Sequence, residues 1–93
     1  MIVGILSISV HIPHSQSLKD KRQVIKSLIE KTRNKFNVAI AEIGDQDLWQ
    51  KAILGIVCIA NEKKIINQML DKVLNFIRST PVIHLINFQI EIL

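Results

Sequence analysis

The hydrophobic spacing of this chain switches between that of a strand and that of a helix, and the order of the switches is its strongest constraint. Residues 2–12 alternate. Ile2, Leu6, Ile8, Val10 and Ile12 share one face with Gly4, and Val3, Ile5, Ser7, Ser9 and His11 share the other. The first face is apolar and the second mixed, which describes a half-buried strand ended by Pro13. Residues 18–34 change to helical spacing, with Leu18, Ile25, Leu28, Ile29 and Thr32 on one side and Val24 at its edge. Ser17 is placed to cap this helix, Asp20 adds a weak capping box, and Asn34 is placed to stop it.

Residues 36–43 read as a second strand and Gly44-Asp45-Gln46-Asp47 as a turn. A third strand, 49–60, has Ile53, Val57 and Ile59 on one face and Leu54, Ile56 and Cys58 on the other, so it is expected to be central and covered on both sides. Asn61 is expected to cap a second helix over 62–78, with Ile66, Met69, Leu70, Val73 and Ile77 as its apolar stripe. Ser79-Thr80-Pro81 breaks it. The last strand, 82–92, is expected to turn Val82, Ile86, Phe88, Ile90 and Ile92 to the core with His84, and Asn87, Gln89 and Glu91 away.

The resulting β-α-β-β-α-β order is that of the ferredoxin-like α+β fold, two split βαβ units. It implies an antiparallel sheet in the order 4-1-3-2 with both helices on one face. The 93 residues suit one domain, 1–93, with enough surface to bury for a core without staples. The single cysteine, Cys58, rules out an internal disulfide and a thiolate metal cluster. The apolar N-terminus lacks a basic leader and a small-residue cleavage site, and no apolar run approaches a membrane span. A soluble cytoplasmic protein is expected.

The face of the sheet away from the helices is expected to carry Val3, Ile5, Ile83 and Leu85 with one apolar side of the third strand. An apolar patch of that kind marks an interface, here a homo-oligomer formed through the sheet face or an edge. Base stacking on this face is disfavoured. The chain has only four Phe, Trp or Tyr side chains (Phe36, Trp49, Phe76 and Phe88), and none lies on the first strand or in the interior of the third.

Charge is unevenly distributed. Residues 19–35 hold Lys19, Lys21, Arg22, Lys26, Lys31, Arg33 and Lys35 against Asp20 and Glu30, or +5, and the rest of the chain sums to −1, which together make the net +4. Lys19, Lys21, Arg22, Lys26 and Arg33 are the candidate phosphate contacts, and the expected partner is structured RNA or a ribosomal particle. The competing reading is an ordinary solvated basic helix.

The turn carries Glu42, Asp45 and Asp47 beside Gln46 and Trp49, and the histidines are His11, His14 and His84. No metal-ligand spacing links them, so the carboxylates read as turn chemistry. Gly4, Gly44 and Gly55 are too scattered for a nucleotide loop, and no nucleophile–base pair is visible. No enzyme activity, cofactor or metal is expected.

Three segments with the C-terminal ending point to a family: His11-Ile12-Pro13, Ser17-Leu18-Lys19-Asp20-Lys21-Arg22, and Phe36–Glu42 with Gln46-Asp47-Leu48-Trp49-Gln50-Lys51-Ala52, then Phe88-Gln89-Ile90-Glu91-Ile92-Leu93. Together they resemble the bacterial YlxP-like family over essentially the whole chain. Asp45 departs from the histidine expected to be frequent at that position, which weakens the case for metal or proton-transfer chemistry in the turn. The resemblance implies a ferredoxin-like fold and genes often found beside translation-initiation and ribosome-maturation factors. It supplies no catalytic residues. Its two most specific runs fall on the basic helix start and on the hairpin, so Gln46, Asp47 and Trp49 become a second candidate contact, or a brace for the third strand.

Overall fold

A computed structural model describes residues 1–93 as β1 (Ile2–His11), α1 (Leu18–Lys35), β2 (Ala39–Gly44), β3 (Lys51–Ala60), α2 (Lys63–Arg78) and β4 (His84–Ile92). The strands form one antiparallel sheet in the order β2-β3-β1-β4, the 4-1-3-2 ferredoxin-like order read from the other edge. No helix is long and apolar enough to cross a membrane.

The core follows the alternation of the two central strands. Leu6, Ile8 and Val10 of β1 and Leu54, Ile56 and Cys58 of β3 face the helices and are buried against Ile25, Leu28, Ile66, Leu70 and Val73. Gly4 lies on the same face, directly against Ile66 and Leu70 of α2. A Cβ there would collide with the Ile66 side chain and crowd Leu70 Cδ1 at 3.2 Å, so the approach of α2 requires glycine. Ser17 caps α1 as expected: its Oγ accepts from the Asp20 N–H at 3.0 Å, and Asp20 Oδ2 accepts from the Gln16 N–H at 3.1 Å. Helix α2 starts one residue later than expected, with Glu62 at the cap position and no side-chain cap bond.

Strand β4 corrects the expected phase. Its register on β1 shifts between Ser9, which pairs with Asn87, and Val10, which pairs with Leu85, so Ile86 is an extra, bulged residue. Side chains alternate faces along a strand, and one inserted residue inverts the alternation beyond it. Ile83 is therefore a core residue at 3% exposure, and Leu85 packs against the core. Neither belongs to the open face. His84 lies there instead, paired with His11, their rings 6.3 Å apart. Val82 precedes the strand in a left-handed conformation, φ 66°, and is exposed.

Val3 and Ile5 do face away from the helices, opposite Ile59 and Val57 of β3. Ile53 and Ile43 complete this aliphatic patch, with Ile43 lying across Gly55. β3 is central, but its second face is uncovered: Ile59 is 64% exposed.

Candidate nucleic-acid interface

Helix α1 packs on the sheet through one stripe, and the stripe begins with a lysine. Lys21, Ile25, Leu28 and Thr32 are its buried residues. The Lys21 ammonium donates to the carbonyls of Asp45 at 2.8 Å, Gln46 at 3.1 Å and Lys51 at 3.1 Å. It lies 3.0 Å from Glu42 Oε2. An ammonium has three protons, and the three carbonyls take them. Glu42 then balances the charge through space, and its buried Oε2 makes no hydrogen bond of its own.

Lys21 is fully buried, so it is removed from the phosphate-contact set. A cation with no solvent-accessible surface and all its donors used cannot reach a phosphate. It is instead a clasp between the start of α1 and the β2–β3 hairpin. The Ser17–Arg22 and Gln46–Gln50 runs, far apart in sequence, are joined by this one side chain. Its position carried a signal: Lys21 precedes Ile25 by four residues and Leu28 by seven, in phase with the core stripe.

Lys19, Arg22, Lys26 and Arg33 are all exposed on α1. Arg22, Lys26 and Arg33 line a groove of about 340 Å³ between α1 and β2, which Glu30 and Glu42 also enter. Arg33 is partly engaged, because its Nη2 donates to the Ile40 carbonyl of β2 at 3.2 Å. The least committed cations are Lys19, Arg22 and Lys26. At the other end of α1, Lys35 sits over the Phe76 ring, 4.9 Å from its centroid, and so serves packing.

The hairpin is held from two sides. Gln50 Nε2 donates to the Ser15 carbonyl at 2.9 Å and the Pro13 carbonyl at 3.3 Å, which ties it to the β1–α1 connection. Asp45 turns the chain at φ 57°, a left-handed conformation that Asp tolerates, and its carbonyl accepts from Leu48 N at 3.1 Å. Gln46, Asp47 and Trp49 are exposed. Trp49 is 57% exposed beside Leu48 at 46%, so it does not brace β3; Lys21 and Gln50 do that. Cys58 is buried, and desolvation raises its thiol above the ordinary value.

These features define a class: a small ferredoxin-like domain whose basic helix is clasped to a hairpin that presents an exposed tryptophan. Residues 3–90 match the family described as Protein of unknown function (DUF503), and the chain belongs to that family. It is similar to the Uncharacterized protein YlxP of Bacillus subtilis (strain 168), 39% identical over 80 residues that span 86% of this chain and 87% of that protein. Among solved structures, the de novo designed protein Foldit4 aligns over 98% of this chain and 93% of its own, with a TM-score of 0.51 and 16% identity. That likeness concerns the fold alone. A REP-associated tyrosine transposase bound to a REP hairpin aligns over 98% of this chain and 55% of its own, at a TM-score of 0.47 and 12% identity.

Proposed function

We propose that this protein is a non-enzymatic cytoplasmic accessory factor that contacts structured RNA in a ribosomal particle. Lys19, Arg22 and Lys26 supply the contacts, with Arg33 at the end of the stripe. The observation that carries the reading is the charge left on the surface of α1. With Lys21 buried, residues 19–35 still expose Lys19, Arg22, Lys26, Lys31, Arg33 and Lys35, against Glu30 and the half-buried Asp20. Contacts of this kind are to phosphates and to helix shape. The open sheet face offers no Phe, Tyr or Trp for stacking bases. The exposed Trp49, with Gln46 and Asp47, is the second contact, at the end of the molecule that Lys21 joins to α1. The gene neighbourhood implied by the family resemblance agrees with a ribosomal partner.

Co-sedimentation with ribosomal subunits tests this. Retention at low salt, lost at high salt and lost in Arg22→Glu/Lys26→Glu, supports it. Absence from the subunit fractions at every salt concentration sinks it. That outcome favours a second reading, a homo-oligomeric interaction module whose α1 charges only keep it soluble, which rests on the aliphatic patch of Val3, Ile5, Val57 and Ile59.

A further inference from the structure

The two edges of the sheet are treated differently. The β2 edge is short, its register shifts between Glu42 and Gly44, and Arg33 occupies the Ile40 carbonyl. A bulge, a short strand and a charged side chain on the edge all discourage pairing with another chain. The β4 edge has one bulge at its start and is otherwise open. Glu91 is the only acidic or basic residue between His84 and Leu93, setting the histidine aside.

The backbone groups on the β4 edge can be assigned. Val3 and Leu93 exchange both backbone hydrogen bonds, at 3.0 and 2.8 Å. Bonded and non-bonded pairs alternate along an antiparallel ladder. Glu91, Gln89 and Asn87 therefore bond inward to Ile5, Ser7 and Ser9. The N–H and C=O groups of Phe88, Ile90 and Ile92 point outward to the free edge. Phe88 and Ile90 also carry exposed apolar side chains on the helix side, at 42% and 38%. Unpaired backbone and under-covered apolar surface coincide on the same residues.

We propose that the β4 edge binds a second copy of this chain, forming a closed two-fold dimer with a continuous eight-stranded sheet. Antiparallel self-pairing with Ile90 at the axis sets Phe88 against Ile92 of the partner subunit. Three outward N–H groups from each copy then all find carbonyls. The same pairing gathers Phe88 and Ile90 of both copies on the helix side and sets Glu91 against Gln89 of the partner subunit, away from its own equivalent. Head-to-tail pairing of β4 onto a β2 edge would instead propagate without end, and the guarded β2 edge disfavours it. The inference is independent of the RNA reading, because α1 lies over the β2 side of the sheet.

Sedimentation velocity across a concentration series tests it, with Ile90→Pro as the main variant. The Ile90 N–H points outward, so proline there removes no β1–β4 hydrogen bond and blocks only the pairing. The wild-type chain is expected at twice its 10.6 kDa mass on the order of 50 μM. Ile90→Pro and Ile90→Lys are expected as monomers with unchanged far-UV circular dichroism. Ile90→Lys keeps the test open if the proline variant fails to fold. Val57→Lys, on the open face, is expected to stay dimeric. A wild-type monomer at every concentration overturns the proposal, as does a dimer that survives both Ile90 variants or is lost in Val57→Lys.

Discussion

Replacing Lys21 by methionine isolates the clasp, because methionine keeps the apolar stem of the side chain and leaves a void no larger than the lost ammonium. What it removes is the donor to the carbonyls of Asp45, Gln46 and Lys51 and the counter-charge of Glu42, whose side chain is 18% exposed. Breaking a buried ion pair from one side costs about 3–5 kcal/mol, since the other charge stays behind unpaired. The lower half of that range is expected here: Asp45 and Gln46 lie in an exposed turn, and a loosened hairpin lets water reach their carbonyls. That is a large part of the roughly 5–15 kcal/mol that holds a domain folded. At about 5 °C per kcal/mol for a chain of this size, Tm falls by about 15–20 °C. Urea unfolding followed by circular dichroism gives the free energy directly. Lys21→Met/Glu42→Gln removes the stranded charge and is expected to recover at least about 1 kcal/mol of the loss. A cost below about 1 kcal/mol for Lys21→Met, or no coupling in the double variant, would refute the reasoning.

Other outcomes follow from single contacts. Gly4→Ala, which drives a methyl into Ile66, is expected to lose about 1–3 kcal/mol in the same urea titration, far more than an ordinary glycine replacement in a strand. Trp49→Ala is expected to change stability by no more than about 0.5 kcal/mol, and acrylamide should quench the native Trp49 fluorescence readily, because the ring is already exposed. Cys58 is expected to react with a thiol reagent only as fast as the chain opens, measured by labelling in increasing urea. Burial raises its folded pKa above the unfolded value, so its stabilising contribution is complete below the ordinary thiol range and declines as pH rises through and above 9.0. Urea midpoints at pH 7 and pH 10 compare the two conditions in wild type and Cys58→Ala.

Most of the fold was legible because β1, β3 and both helices obey a single hydrophobic period from end to end. The last strand was not, since Ile86 adds one residue against β1 and nothing in the apolar pattern of 82–92 marks the place. That residue moved Ile83 and Leu85 from the expected interface into the core side and brought His84 out. The basic helix was legible as charge, but Lys21 was hidden by its type. Lysine is read as solvated by default, and only its phase with Ile25 and Leu28, plus Glu42 two residues beyond the core-facing Ile40, marks a buried pair. The family's most specific runs are partly structural for that reason, while Trp49 stands out in solvent where function is the simpler cause.

The central claim, that the exposed edge of α1 grips phosphates, is tested most directly by the salt dependence of binding to a structured ribosomal RNA fragment. With Lys19, Arg22 and Lys26 neutralising phosphates, log K should fall against log salt with a slope of about −2 to −3. In Arg22→Glu/Lys26→Glu the slope should flatten toward zero as affinity is lost, with circular dichroism unchanged. An identical slope and affinity in the variant would contradict it, as would wild-type binding no tighter than that of an equally charged control protein.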